Sequence, residues 1–99
     1  GTHLMLNSKQ KKQLRSLGNP LKPLFNVGKE GLSLNLISSL EDSLKAHELV
    51  KISVLKTAPS PVMELALDLA SSTHSELIQV VGRSILLYKQ GEKRKIHLT

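Results

Sequence analysis

Apolar residues recur along this chain in two rhythms, one of about three and a half residues and one of two. The changes from one rhythm to the other mark seven elements. From Ser8 to Gly18 the chain is polar except for Leu14 and Leu17, which a helical step sets within about 60° of each other. Lys11, Lys12 and Arg15 fall on the opposite face. Asn7 or Ser8 suits the N-cap, Gln10 the partner in a capping box with Asn7, and Gly18 the C-terminal stop. Two leucines give such a helix little stability of its own, so it must dock on the rest of the domain. Pro20 and Pro23 then force extended or turn geometry. Leu24–Val27 reads as a short strand, ended by Gly28-Lys29-Glu30-Gly31. Ser33 or a neighbour caps a second helix, whose stripe is Leu36, Ile37, Leu40, Leu44 and a partly buried His47.

Val50–Val54 alternates at period two and is a strand. In the turn Thr57-Ala58-Pro59-Ser60-Pro61, Ser60 suits an N-cap and Pro61 the first position of a third helix. That helix buries Val62, Leu65, Ala66, Leu69, Ala70 and Thr73, and its two alanines point to close packing on a sheet. Leu77–Val81 and Ile85–Tyr88 form a hairpin about the tight connection Gly82-Arg83-Ser84. The order is α-β-α-β-α-β-β. Strands separated by helices need crossovers and the last pair is a hairpin, so the expected fold is a two-layer α/β domain with a mixed four-stranded sheet.

At 99 residues there is room for one domain, expected to span 6–98. Residues 1–4, Gly1-Thr2-His3-Leu4, read as a remnant of expression, and 91–99 as a basic C-terminal arm. The net charge of +6 is unevenly placed. Ser8–Lys29 carries six cations and no acid, Glu30–Glu76 seven acids and three cations, and Leu77–Thr99 five cations and one acid. Two basic ends around an acidic middle favour a polyanion on one side of the molecule. With no Cys there is no disulfide, thiolate nucleophile or Cys-based zinc site, which fits a cytoplasmic protein. No apolar run approaches the roughly 18 residues of a membrane span. None of the histidines stands four from another, and no H-E-x-x-H or hydrolase set occurs. The expectation is therefore no enzyme, no metal, no cofactor and no small-molecule substrate.

One candidate constellation remains. Strand, Gly28-x-x-Gly31, helix is a geometry in which missing side chains let the backbone approach a sugar-phosphate chain, with a helix N-terminus behind it. KH domains clamp single-stranded backbone with a loop of this form. The triphosphate loop G-x-x-x-x-G-K-[ST] does not occur. Phe25 and Tyr88 are the only Phe, Tyr or Trp residues, so bases cannot be read on several aromatic faces. Contacts to phosphate and sugar must dominate, with strong salt sensitivity.

Four ordered blocks carry a resemblance. They are Leu14-x-x-Leu17-Gly18-Asn19-Pro20-Leu21-Lys22-Pro23, Val27-Gly28-Lys29-Glu30-Gly31-Leu32, Leu44-Lys45-Ala46-His47-Glu48-Leu49-Val50-Lys51 and Val81-Gly82-Arg83-Ser84-Ile85-Leu86-Leu87-Tyr88-Lys89. The sequence resembles the CRM domain, in particular the stand-alone bacterial YhbY-like proteins. That resemblance implies an RNA-binding domain similar in core fold to the C-terminal domain of translation initiation factor 3. It also implies association with ribosomal RNA in precursors of the large ribosomal subunit. Carried over by position, Gly28, Lys29 and Gly31 become loop contacts to RNA, and Lys22, Lys51 and Arg83 phosphate contacts. Glu30 departs from the basic loop common in the family. Lys12 and Arg15 join the set from the helical wheel alone, and His47-Glu48, at a helix end, reads as structural.

The resulting expectation is a monomeric, non-catalytic RNA-binding protein that assists large-subunit assembly. Its cations converge on a side-chain-poor bend, and a bulky residue at Gly31 should weaken RNA binding with little loss of stability. The alternative is an adaptor whose basic faces dock an acidic protein. A winged-helix DNA binder would need adjacent helices, whereas here strands separate them.

Overall fold

Pro20 and Pro23 divide the first helix from the sheet in the computed structural model, which describes residues 8–89. The elements are α1 (Ser8–Gly18), β1 (Phe25–Val27), α2 (Leu34–His47), β2 (Leu49–Val54), α3 (Val62–Thr73), β3 (Glu76–Val81) and β4 (Ser84–Tyr88), the order the sequence predicts. The expression remnant expected at 1–4, the arm at 91–99 and the Asn7 cap lie outside the described residues. The four strands stand in the order β1-β2-β4-β3. β1 runs parallel to β2, with Phe25 beside Ile52 and Val27 beside Val54. β4 is antiparallel to both of its neighbours, so the sheet is mixed as expected. Among the described residues, no helix is long and apolar enough to cross a membrane.

Alternation along the strands sorts their side chains onto two faces. Val50, Ile52, Val54, Ile85 and Leu87 pack with Leu40 and Leu44 of α2 and Leu65, Ala66 and Leu69 of α3, forming the main core. Leu49, Leu86 and Tyr88 face the other way, and Leu14 of α1 closes over them with Ile78. The sheet and the α2–α3 pair are the two expected layers, and α1 adds a partial third on the opposite face. The sign of that layer is in β4, where Ile85-Leu86-Leu87-Tyr88 is apolar and buried at every position. A strand covered on both faces reads this way.

Four local expectations are corrected. Leu17 is 43% exposed, so it does not share the anchoring of α1 with Leu14. Gly18, one turn after Leu14, takes that place: it is buried, and a Cβ there would overlap the Leu86 methyl groups. Its backbone is not left-handed, so close approach explains this glycine rather than a helix-stop conformation. His47 is exposed, because the buried stripe of α2 passes from Leu44 to Glu48, four residues on. Glu48 ends the helix at φ 65° with its amide donating to the Leu44 carbonyl (2.8 Å), and its carbonyl accepts from the Lys89 amide (2.8 Å). The structural reading of the His47-Glu48 pair thus falls on the glutamate. At α3 the N-cap is Pro61, not Ser60, and no side chain caps it. Ser33 does cap α2 as expected, its Oγ accepting from the Leu36 amide at 3.1 Å.

Candidate nucleic-acid interface

Parallel strands finish at the same end of a sheet, and a hairpin whose return strand is antiparallel to them turns there too. Here that end gathers three bends: 28–31 after β1, 55–59 after β2, and Gly82-Arg83 between β3 and β4. Backbone bonds tie them in a row. The Leu55 amide donates to the Val27 carbonyl at 2.8 Å, and the Val54 amide to the Arg83 carbonyl at 2.7 Å. At ~4.8 Å per strand the row, which spans four strand ends, is about 14 Å wide. α2 and α3 both start from this end, so two helix N-termini with their positive partial charge lie behind the bends.

The glycine bend is a four-residue turn, closed by the Gly31 amide donating to the Gly28 carbonyl at 2.9 Å. Lys29 and Glu30 occupy its tip, both exposed. The two glycines are there for different reasons. Gly31 sits at φ 68°, a left-handed conformation, and a Cβ would stand 3.2 Å from Pro59 Cγ. Backbone strain and the Pro59 contact therefore favour glycine at 31, and a bulky residue there is expected to cost stability as well as RNA affinity. Gly28 has no positive φ, and a Cβ would meet only Leu55 Cδ1 at 3.5 Å and Thr57 Oγ1 at 3.8 Å, ordinary contacts. Internal packing does not require its missing side chain.

Of the cations singled out in the sequence, Lys29 and Arg83 are exposed at this end. Lys22 is exposed as well but set back along the sheet, in the segment that the Leu24 amide pins to the Lys51 carbonyl at 2.9 Å. Lys51 is not a free cation. Its Nζ donates to the carbonyls of Asn19 (3.3 Å) and Leu21 (3.2 Å), so it ties the proline segment carrying Lys22 to β2. Lys12 and Arg15 lie on the exposed side of α1, on the other face of the sheet from α2 and α3, and do not join the glycine bend. One exposed cation was missed: Lys56, in the turn after β2, next to the residues that Gly28 faces. The signal for it was the parallel pairing itself, since the loop after β2 must end beside the loop after β1. Of the other exposed acids, Asp42 on α2 and Asp68 on α3 lie further along their helices, while Glu64 stands in the first turn of α3 at this end. Only Glu30 brings a negative side chain to the tip of the bend.

A side-chain-poor turn, two helix N-termini and three exposed cations thus meet at the carboxyl ends of the parallel strands, an arrangement whose charge is suited to an anion. The chain belongs to the CRS1/YhbY (CRM) domain family, whose model matches residues 6–89. It is 40% identical over 91 residues to "Probable RNA-binding protein YqeI" of Bacillus subtilis, a match covering 92% of this chain and 95% of that protein. To "Probable RNA-binding protein PA4753" of Pseudomonas aeruginosa it is 31% identical, over 97% of this chain and 92% of the relative. Its fold matches the solution structure of the Staphylococcus aureus protein SAV1595 with a TM-score of 0.81 and 40% identity, over 96% of this chain and all of that one.

Proposed function

We propose that this protein binds RNA without catalysing a reaction, holding the sugar-phosphate backbone at the end built by 28–31, 55–57 and 82–83. The observation that carries this reading is Gly28, a glycine that neither φ nor packing explains, beside exposed Lys29, Lys56 and Arg83. A ligand that must approach the backbone closely and bears negative charge accounts for both features at once. The relatives' names support RNA as that ligand. We further propose that the RNA is ribosomal RNA in precursors of the large subunit, and that the protein acts as a cytoplasmic monomer assisting assembly.

Binding to naked RNA measured across a salt series tests the interface. With about three phosphates neutralised by Lys29, Lys56 and Arg83, log K against log salt falls with a slope between about −2 and −3. Binding that ignores salt overturns the reading. Association with ribosomes that survives nuclease, together with no affinity for naked RNA, establishes the adaptor alternative instead. Crosslinking in cells and sequencing of the attached RNA tests the ribosomal assignment, which fails if large-subunit precursors are not enriched.

A further inference from the structure

The helix α1 covers only half of its face of the sheet. Gly18 lies against Leu86; Lys51 on β2 and Gln79 on β3, level with Leu86, and Ser84 on β4 and Val81 on β3, beyond it, face the same way. With Asn19 they line an open cleft of about 320 Å³, at the small end of the roughly 300–1,000 Å³ typical of ligand sites. Gln79 Nε2 donates to Asn19 Oδ1 at 3.3 Å, which fixes two side-chain amides against each other. That bond does not use the Asn19 side-chain N–H donors or the Gln79 side-chain carbonyl, two groups complementary to the edge of a base. Val81, 60% exposed, supplies an apolar wall. Lys51 spends two of its donors on the Asn19 and Leu21 carbonyls, which holds its side chain along the cleft. Arg83 directly precedes Ser84, placing a free cation at the rim where a strand's backbone would run.

A fixed donor–acceptor pair beside an apolar wall, rimmed by positive charge, matches the edge and face of one nucleobase on a chain of phosphates. We propose that this cleft takes a single unstacked base of the RNA strand whose backbone crosses the glycine bend, and that it gives the protein a base preference. The inference rests on the RNA-binding reading. The cleft supplies what the chain lacks in aromatic platforms, using amides and aliphatic carbon in their place.

The test is affinity for oligo-A, oligo-U and oligo-C of equal length at one salt concentration, measured for the native protein and for Gln79→Leu and Asn19→Ala. The native protein separates its best and worst oligomers by roughly fivefold or more. Either variant, checked as folded by its thermal melt, brings the three affinities together and leaves the salt slope unchanged. Equal affinities in the native protein, or a preference kept in both variants, overturn the cleft while the RNA-binding reading stands. No affinity for any oligomer at any salt overturns both.

Discussion

The methyl groups of Leu86 lie against the backbone of Gly18 so closely that no side chain fits between them. This contact and buried Leu14 are what α1 sets against the sheet. Gly18→Ala should cost about 1–3 kcal/mol, as overpacking of a filled core does. A thermal melt reads the loss, and hydrogen exchange should rise first in α1. An unchanged melting temperature would show that α1 can lift without cost.

The two glycines of the bend should separate under substitution. Gly31→Ala forces a left-handed residue to carry a side chain and should lower stability by about 1–2 kcal/mol. Gly28→Ala has room and no positive φ, so its stability should stay within about 1 kcal/mol of the native value. RNA affinity should nonetheless fall. A melt and an RNA titration on each protein check the pair, and the account fails if Gly28→Ala binds as well as the native protein.

Lys51 and Lys56 should also behave differently, although both are lysines near the end of β2. Lys56→Ala removes a free cation and should reduce the magnitude of the salt slope by about 0.7–0.9. Lys51→Met releases the Asn19 and Leu21 carbonyls and should cost about 0.5–1.5 kcal/mol of stability, with the slope kept. Equal loss of slope in both would show that Lys51 leaves its carbonyls to pair with phosphate.

Glu30 places a carboxylate at the tip of a bend otherwise suited to an anion. Glu30→Gln should raise RNA affinity by up to about fivefold at low salt, an advantage that fades as salt screens exposed charges. Affinity that drops would mean the carboxylate itself contacts the ligand.

The order of elements was legible because four of the six changes of apolar period coincide with a proline, a glycine or a capping serine. Ser33, Pro23 and Gly82 all fall at element ends or turns for local reasons. What escaped depended on contacts between distant parts of the chain. Gly18 looks like a helix stop until Leu86 is seen above it, and Leu17 looks like an anchor until the direction of docking is known. Glu48 is an acidic residue with a side chain at positive φ, neither expected at a fully buried position, yet it is buried and ends the helix. At the candidate site, the bend and Lys29 could be read from spacing alone. Lys56 could not, because its place beside the bend follows from the parallel pairing of β1 with β2. Nor could the use of Lys51 as a tie, which needs carbonyls about thirty residues earlier in the chain.

The most direct test of the account is a backbone amide chemical-shift titration with single-stranded RNA. The account predicts that the largest shifts fall on 28–31, 55–57 and 82–84, with the outer faces of α2 and α3 little changed. Shifts concentrated on those outer faces, or none at the three bends at saturating RNA, would contradict it.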